Sequence, residues 1–341
     1  MNAILKSDIG EFAKFFELAN SFSDTSFLIT GGTGLIGSIL IHCLIALDKN
    51  IKIVAPIRNR EKAYNLFDEN ERKSIKFIEC DIQTYDFNLV GYTDYIVHCA
   101  APTSIEYFSK HPVETFNSIV LSSHNLLDYA KDNNIRCFAY ISSIEVYGTI
   151  SDDSTPVTED IQGYVNPMSV RSCYPIAKRA VENLCRLYAE EYGVNTKVIR
   201  LTQTTGAGVD TNDNRILVQF SRKAFLHEDI VLHTQGTSAR SYCYTTDAIE
   251  AILHIIIKGA KGEAYNVANP DCYKSALELA YYIKENFAPK INVKIDVDEK
   301  KGYAPDTKIR LSTDKLYQLG WRPKYSLYDI INNVIASMTC N

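Results

Sequence analysis

The sequence predicts an α/β protein: a doubly wound parallel sheet with a smaller, discontinuous α/β lobe. Three observations carry this prediction. Strand-like and helical runs alternate from residue 26 to about residue 202. A glycine-rich turn joins the first strand to the helix that follows it. Beyond residue 202 the alternation breaks into a Gly/Asp/Asn-rich stretch over 206–214, where the lobe begins. A chain of 341 residues has room for such a plan, since a typical domain is about 150 residues.

Composition narrows the function. With 46% hydrophobic and 23% charged residues, the chain is neither collagen-like, disordered nor a coiled coil. The net charge is −5 and no Lys/Arg run occurs, so nothing supports a nucleic-acid or anionic-membrane partner. The nine cysteines are scattered, odd in number and never paired as CxxC, which points to small buried hydrophobes in a reducing cytoplasm. Seven histidines without an HxxxH or HxH pattern give no metal site. The charged first twenty residues do not read as a secretory signal, and no apolar run approaches the roughly 20 residues of a membrane span.

Residues 1–24 form an extra N-terminal element, because Ile9, Phe12, Ala13, Phe16 and Ala19 recur at helical spacing. Apolar, β-branched runs then predict strands at 26–30, 51–57, 74–79, 95–98, 137–141 and 196–201. Helices are expected at 36–46, 122–131 and 178–192. A helix at 248–257 and a strand at 264–268 read as a return to the main sheet, with helices at 275–286 and 326–335 in the lobe. The division is therefore 25–202, with 240–268 returning, for the main domain, and 203–239 with 269–341 for the substrate lobe. Trp321 and most of the lobe's tyrosines read as core.

The first strand runs into Gly31-Gly32-Thr33-Gly34-Leu35-Ile36-Gly37. Glycines there allow a tight turn and close backbone approach to a pyrophosphate at the helix N-terminus, the Rossmann dinucleotide arrangement. An NAD-specific site places an acid at the end of the second strand. Here Ile57 stands in its place and Arg58 follows, which favours NADP through a 2′-phosphate contact, with NAD as the alternative. The alternative is that Arg58 and Arg60 are solvated loop charges.

Tyr174 and Lys178 stand four apart, on one helical face. A free phenol has a pKa near 10, and a cation beside it favours the phenolate, so this pair predicts a proton-transfer residue and its tuner. The pair lies about 30 residues after Ser142-Ser143-Ile144-Glu145-Val146-Tyr147-Gly148, which ends a strand.

From residue 26 onward the sequence resembles the extended short-chain dehydrogenase/reductase family, in its nucleotide-sugar epimerase/dehydratase branch. The resemblance rests on the turn from Thr30 to Gly37, Asp81-Ile82, His98-Cys99-Ala100-Ala101, Ser142 to Gly148, Tyr174/Lys178, and Arg240-Ser241-Tyr242 leading to Asp247. It implies that Gly31, Gly34, Leu35, Ile36, Gly37, Arg58, Asp81, Ile82, Ala100, Ala101, Tyr174 and Lys178 hold the cofactor. Ser143 would hydrogen-bond the reacting sugar oxygen, Tyr174 would move its proton, and Arg240 would grip the nucleotide diphosphate. Gln203 stands where the family often has Asn and reaches the phosphate with a longer amide. Thr103 and Ser104 either touch the sugar hydroxyls or are plain loop residues. Glu145 would act near C5 as base or positioning group, or it caps a turn; Ile144 stands where some dehydratases carry an acid.

The implied activity is an NAD(P)-dependent epimerase or dehydratase acting on a nucleoside-diphosphate sugar through a transient 4-ketone. The alternatives are an NADPH-dependent reductase of a nucleotide-linked or small carbonyl substrate and a non-catalytic nucleotide sensor. The resemblance also implies a homodimer.

Overall fold

Residues 1–297 and 306–339 are described by the structure, a computed structural model. Cys340 and the end of the expected lobe therefore lie outside the described residues. In chain order the strands are β1 (Ser26–Thr30), β2 (Lys52–Ile57), β3 (Ile75–Glu79), β4 (Tyr95–His98), β5 (Cys137–Ser143), β6 (Thr196–Leu201) and β7 (Gln203–Thr205). There follow β8 (Ile230–Leu232), β9 (Ala239–Tyr244), β10 (Glu263–Val267), β11 (Asn269–Ser275), β12 (Val293–Ile295) and β13 (Lys308–Ile309). The helices are α1 (Ala3–Phe15), α2 (Leu35–Ala46), α3 (Arg60–Leu66), α4 (Ile105–Lys110), α5 (Pro112–Asp132) and α6 (Cys173–Glu191). The later ones are α7 (Ile216–Phe225), α8 (Thr245–Lys258), α9 (Ala276–Phe287), α10 (Asp314–Tyr317) and α11 (Leu327–Met338).

Seven parallel strands form the main sheet in the order β3-β2-β1-β4-β5-β6-β10. Both faces are covered. Phe27 and Ile29 of β1 pack with α1, α2 and α8, whereas Leu28 packs with α5 and α6. That two-sided burial explains why the strands read as continuous apolar runs rather than alternating ones. The order reverses beside β1, so the loops leaving β1 and β4 diverge and open a crevice at the strands' C-terminal ends.

A smaller sheet runs β11-β9-β13, with β7 also paired to β9, and β8 pairs with β12. Its core is built with α7, α9 and α11. The stretch 240–268, expected on the main sheet, divides: β9 belongs to the smaller sheet, and α8 and β10 pack on the main one. Helix α5 begins at Pro112, ten residues before the expected start. Pro112 fits the first turn, where no N–H is needed, but only Thr115 and Ile119 of that half are buried, so the sequence signal is weak. Trp321 is fully buried and donates its indole N–H to the Asp247 carbonyl at 3.0 Å. Among the described residues, no helix is long and apolar enough to cross a membrane.

Candidate active site

Thr30, His98 and Tyr140 stand in register across β1, β4 and β5; the loops after β1 and β4 leave the sheet at that level, and β5 runs three residues further to Ser143. Gly31 has φ +68°, and a Cβ there would come within 2.9 Å of the Ala100 nitrogen. A Cβ on Gly37 would lie 2.3 Å from the Gly31 carbonyl. Both positions therefore admit only glycine. Gly34 opens α2 without any side-chain cap, leaving the first-turn amides of Leu35 and Ile36 for an anion. This turn fits a dinucleotide pyrophosphate.

The loop after β4 is tied down from beneath. Thr30 Oγ1 lies 2.6 Å from His98 Nδ1 and accepts from the Ala100 amide at 3.2 Å, and His98 Nε2 is 3.0 Å from Ser123 Oγ of α5. Burial, reinforced by the Lys178 charge, pushes the His98 pKa down to about 3, so the imidazole is a neutral bracket.

Ser143 ends β5 and accepts the Glu145 amide at 3.2 Å, so the cap of this turn is Ser143 and the Glu145 side chain has another task. Tyr174 lies in the first turn of α6, beside Pro175, with the Ser143 side chain near enough to act on its phenol. Its ring stacks on Phe108 at 4.7 Å and 13°. One turn on, Lys178 Nζ donates to the Ile141 carbonyl at 2.7 Å and sits 5.7 Å from the Tyr174 ring centroid. The spacing thus brings Ser143, Glu145, Tyr174 and Lys178 together.

The electrostatics differ from the expectation. Burial pushes the Tyr174 phenol well above its ordinary value; the Glu145 charge adds to this, and the Ser143 side chain and Arg171 oppose it. Burial also lowers Lys178 to about 8. Lys178 spends its hydrogen bond on β5, so the cation alone does not bring the phenol into working range.

Arg171 was not singled out from the sequence. Its Nη2 donates to both Glu145 oxygens at 3.0 Å, and its guanidinium lies 5.4 Å from the Phe108 ring centroid. A second Arg–Glu pair was also missed. Arg200 of β6 grips Glu182 of α6 through Nη2 at 2.7 Å and Nε at 3.1 Å. Glu182 accepts Ser142 Oγ at 2.5 Å, and Arg200 Nη1 donates to Tyr147 Oη at 3.0 Å, which donates to Asn266 Oδ1 at 2.6 Å. Its signal was present: Arg200 stands between Ile199 and Leu201, and Asn266 between Tyr265 and Val267, each a polar residue inside an apolar part of its strand.

The remaining candidates stand apart from this cluster. Arg58 follows β2, exposed and without an ion pair among the described residues, whereas Arg60 lies 3.8 Å from Glu79. Asp81 is exposed beyond β3 and accepts the Gln83 amide, and the Ile82 carbonyl accepts Asn125 of α5 at 3.1 Å. Ala100 and Ala101 are half-buried. Thr103 and Ser104 are exposed, and Ser104 caps α4 by accepting the Tyr107 amide. Ser143 pairs with Leu201, so the chain passes from that strand end to Gln203 in two residues. Gln203 pairs with Tyr242 of β9, the strand that carries Arg240, whose Nη2 donates to Thr307 Oγ1 at 3.1 Å.

Residues 27–268 match a family model described as NAD dependent epimerase/dehydratase family. UDP-glucuronic acid decarboxylase 6 of Arabidopsis thaliana is 31% identical over 320 residues, covering 92% of this chain and 88% of the relative. A solved UDP-glucose 4-epimerase of Thermotoga maritima, with UDP-glucose, superposes with a TM-score of 0.80 at 22% identity, over 92% of this chain and 98% of that one. A UDP-glucuronic acid 4-epimerase of Bacillus cereus, in complex with UDP-glucuronic acid and NAD, gives 0.78 at 20% identity, over 92% and 99%.

Proposed function

The chain belongs to the NAD dependent epimerase/dehydratase family, enzymes that use a nicotinamide cofactor on nucleotide sugars, and we propose that it oxidises C4 of a nucleoside-diphosphate hexuronic acid and decarboxylates the product. The observation that carries this reading is the cluster of Ser143, Glu145 and Tyr174 at the end of β5, on the same sheet edge as the glycine turn. The decarboxylases among its relatives support the choice of reaction.

Tyr174 takes the C4 hydroxyl proton while Ser143 holds that oxygen. The nicotinamide supplies the hydride acceptor when bound. A C4 ketone lies β to the C5 carboxylate, so the C5–carboxyl bond can break with its electron pair passing into the ketone oxygen. Carbon dioxide leaves, a proton enters at C5, and hydride return to C4 closes the cycle without net redox change. Because Tyr174 starts as a phenol, its proton must first pass to solvent, and the Lys178 ammonium, which donates to the Ile141 carbonyl of β5, favours that loss.

Exposed Arg58 after β2 supports NADP over NAD. Gln203 and Arg240, on adjoining strands, are the inferred diphosphate contacts, with residues 203–239 and 269–341 shaping the sugar-nucleotide side. Free cysteines fit a reducing cytoplasm. Helices α5 and α6 pack together and leave Val113, Leu121 and Leu187 exposed, a face suited to a homodimer. Leu121→Glu with Leu187→Glu is expected to shift the sedimentation coefficient to that of a monomer; an unchanged value removes this face from the assignment.

The test of the reaction is Tyr174→Phe, assayed by carbon dioxide release from UDP-glucuronic acid. A fall of about 10²- to 10⁴-fold in kcat is expected for losing the proton-transfer group. An unchanged rate overturns the role of Tyr174.

A further inference from the structure

Arg171 sits in the turn Val170–Ser172 that leads into α6, three residues before Tyr174. Phe108 connects the two: the Arg171 guanidinium lies 5.4 Å from its ring centroid, and the Tyr174 ring stacks on it at 4.7 Å. The side chains of Arg171 and Glu145 are 37% and 31% exposed, so both are accessible from solvent. Only Nη2 of Arg171 is engaged by Glu145, and Nε and Nη1 have no protein partner among the described residues. A guanidinium offers five donors in a fork matched to a carboxylate, and this one uses a single nitrogen. A part-exposed pair of this kind contributes little to folding and can be exchanged at little cost.

Resting on the C4-oxidation reading above, we propose that Arg171 is the specificity-determining residue for the sugar carboxylate. A nucleoside-diphosphate hexuronic acid presents a carboxylate at C5, close to the C4 oxygen that Tyr174 and Ser143 hold. That carboxylate takes the open donors of Arg171 and displaces Glu145, so that Glu145 becomes a free carboxylate beside C5 only when an acidic sugar is bound. A neutral nucleotide sugar has no anion to exchange and leaves the Arg171–Glu145 pair closed. Glu145 thus acts as an internal stand-in for the substrate's carboxylate.

The test measures calorimetric Kd values of the full-length, cofactor-loaded protein for UDP-glucuronic acid and UDP-glucose. Arg171→Met is expected to weaken UDP-glucuronic acid by about 10- to 100-fold, the range for lost charge-assisted hydrogen bonds, and to change UDP-glucose by less than about 3-fold. Arg171→Lys keeps the charge without the fork, so its effect on UDP-glucuronic acid falls between. Glu145→Gln removes the competitor and is expected to tighten UDP-glucuronic acid alone. Equal weakening of both ligands by Arg171→Met, or no weakening of UDP-glucuronic acid, overturns the proposal. Unsubstituted protein that binds both ligands equally overturns it while leaving C4 oxidation standing; protein that binds neither overturns both readings.

Discussion

Two Arg–Glu pairs flank the segment that ends β5, and their surroundings give them different work. Arg200 and Glu182 are 8% and 11% exposed, and they interlock with Ser142, Tyr147 and the Glu159 carbonyl. Arg171 and Glu145, at 37% and 31%, are far more exposed and meet through one nitrogen. Burial opposes charge on Arg200, yet the hydrogen bonds and field of Glu182 overcome it and hold the guanidinium above its ordinary pKa. An ion pair becomes scaffold when its remaining donors and acceptors are all engaged, and stays exchangeable when solvent competes for them.

Breaking the buried pair gives the largest expected effect. Arg200→Met strands Glu182 in the interior, and removing one partner of a buried pair costs about 3–5 kcal/mol. Urea unfolding of the variant is expected to show that loss. Ser142 and Tyr147 both touch the pair, so activity is expected to fall even in the fraction that remains folded. A loss below about 1 kcal/mol would place this pair in the same class as the exposed one.

Legibility in the sequence follows the same division between local and distant causes. The strands of the main sheet were readable to within a residue or two because the central ones, β1, β4, β5 and β6, are buried on both faces, which leaves an apolar run in the sequence itself. Ser143, Glu145, Tyr174 and Lys178 were readable because a strand end and a helical spacing of four encode their neighbourhood. Arg171 was not, because its partner is 26 residues away and the pairing depends on how the turn before α6 folds back. The raised phenol of Tyr174 was likewise hidden, since its main cause is burial under Phe108 and neighbours that only the tertiary structure supplies. Residues 240–244 were assigned to the main domain with the rest of 240–268, because nothing in their sequence says that they pair with the smaller sheet.

Asp8 sharpens the comparison, being buried but making no ion pair among the described residues. It accepts Tyr244 Oη at 2.5 Å from α1, and Tyr244 also receives Asn333 Nδ2 at 3.0 Å. Burial raises its pKa to about 6, against hydrogen bonds from Tyr244 and Tyr325 that lower it, with Glu11 adding to the rise. The folded state therefore binds this proton more tightly than the unfolded chain. Stability from Asp8 is present below about pH 4 and is lost as pH rises to about 6, by roughly 3 kcal/mol in total. Asp8→Asn cannot titrate, so its unfolding free energy relative to the parent is expected to improve by up to that amount between pH 4 and 7. A difference independent of pH would show that Asp8 carries no such proton linkage.

The smallest effect belongs to the exposed pair. Arg171→Met removes a part-exposed ion pair, which is worth about 0–1 kcal/mol, and keeps an apolar chain over the Phe108 ring. Its unfolding free energy is therefore expected to stay within about 1 kcal/mol of the parent, and the small difference to shrink between low and high salt as screening replaces the lost attraction. The change at Arg200, by contrast, is expected to persist at high salt, because ions do not enter the region where it pairs with Glu182. If Arg171→Met proved as costly as Arg200→Met, and equally insensitive to salt, Glu145 would be fixed in place rather than exchangeable, and solvent exposure would be a poor guide to which pair can take part in binding.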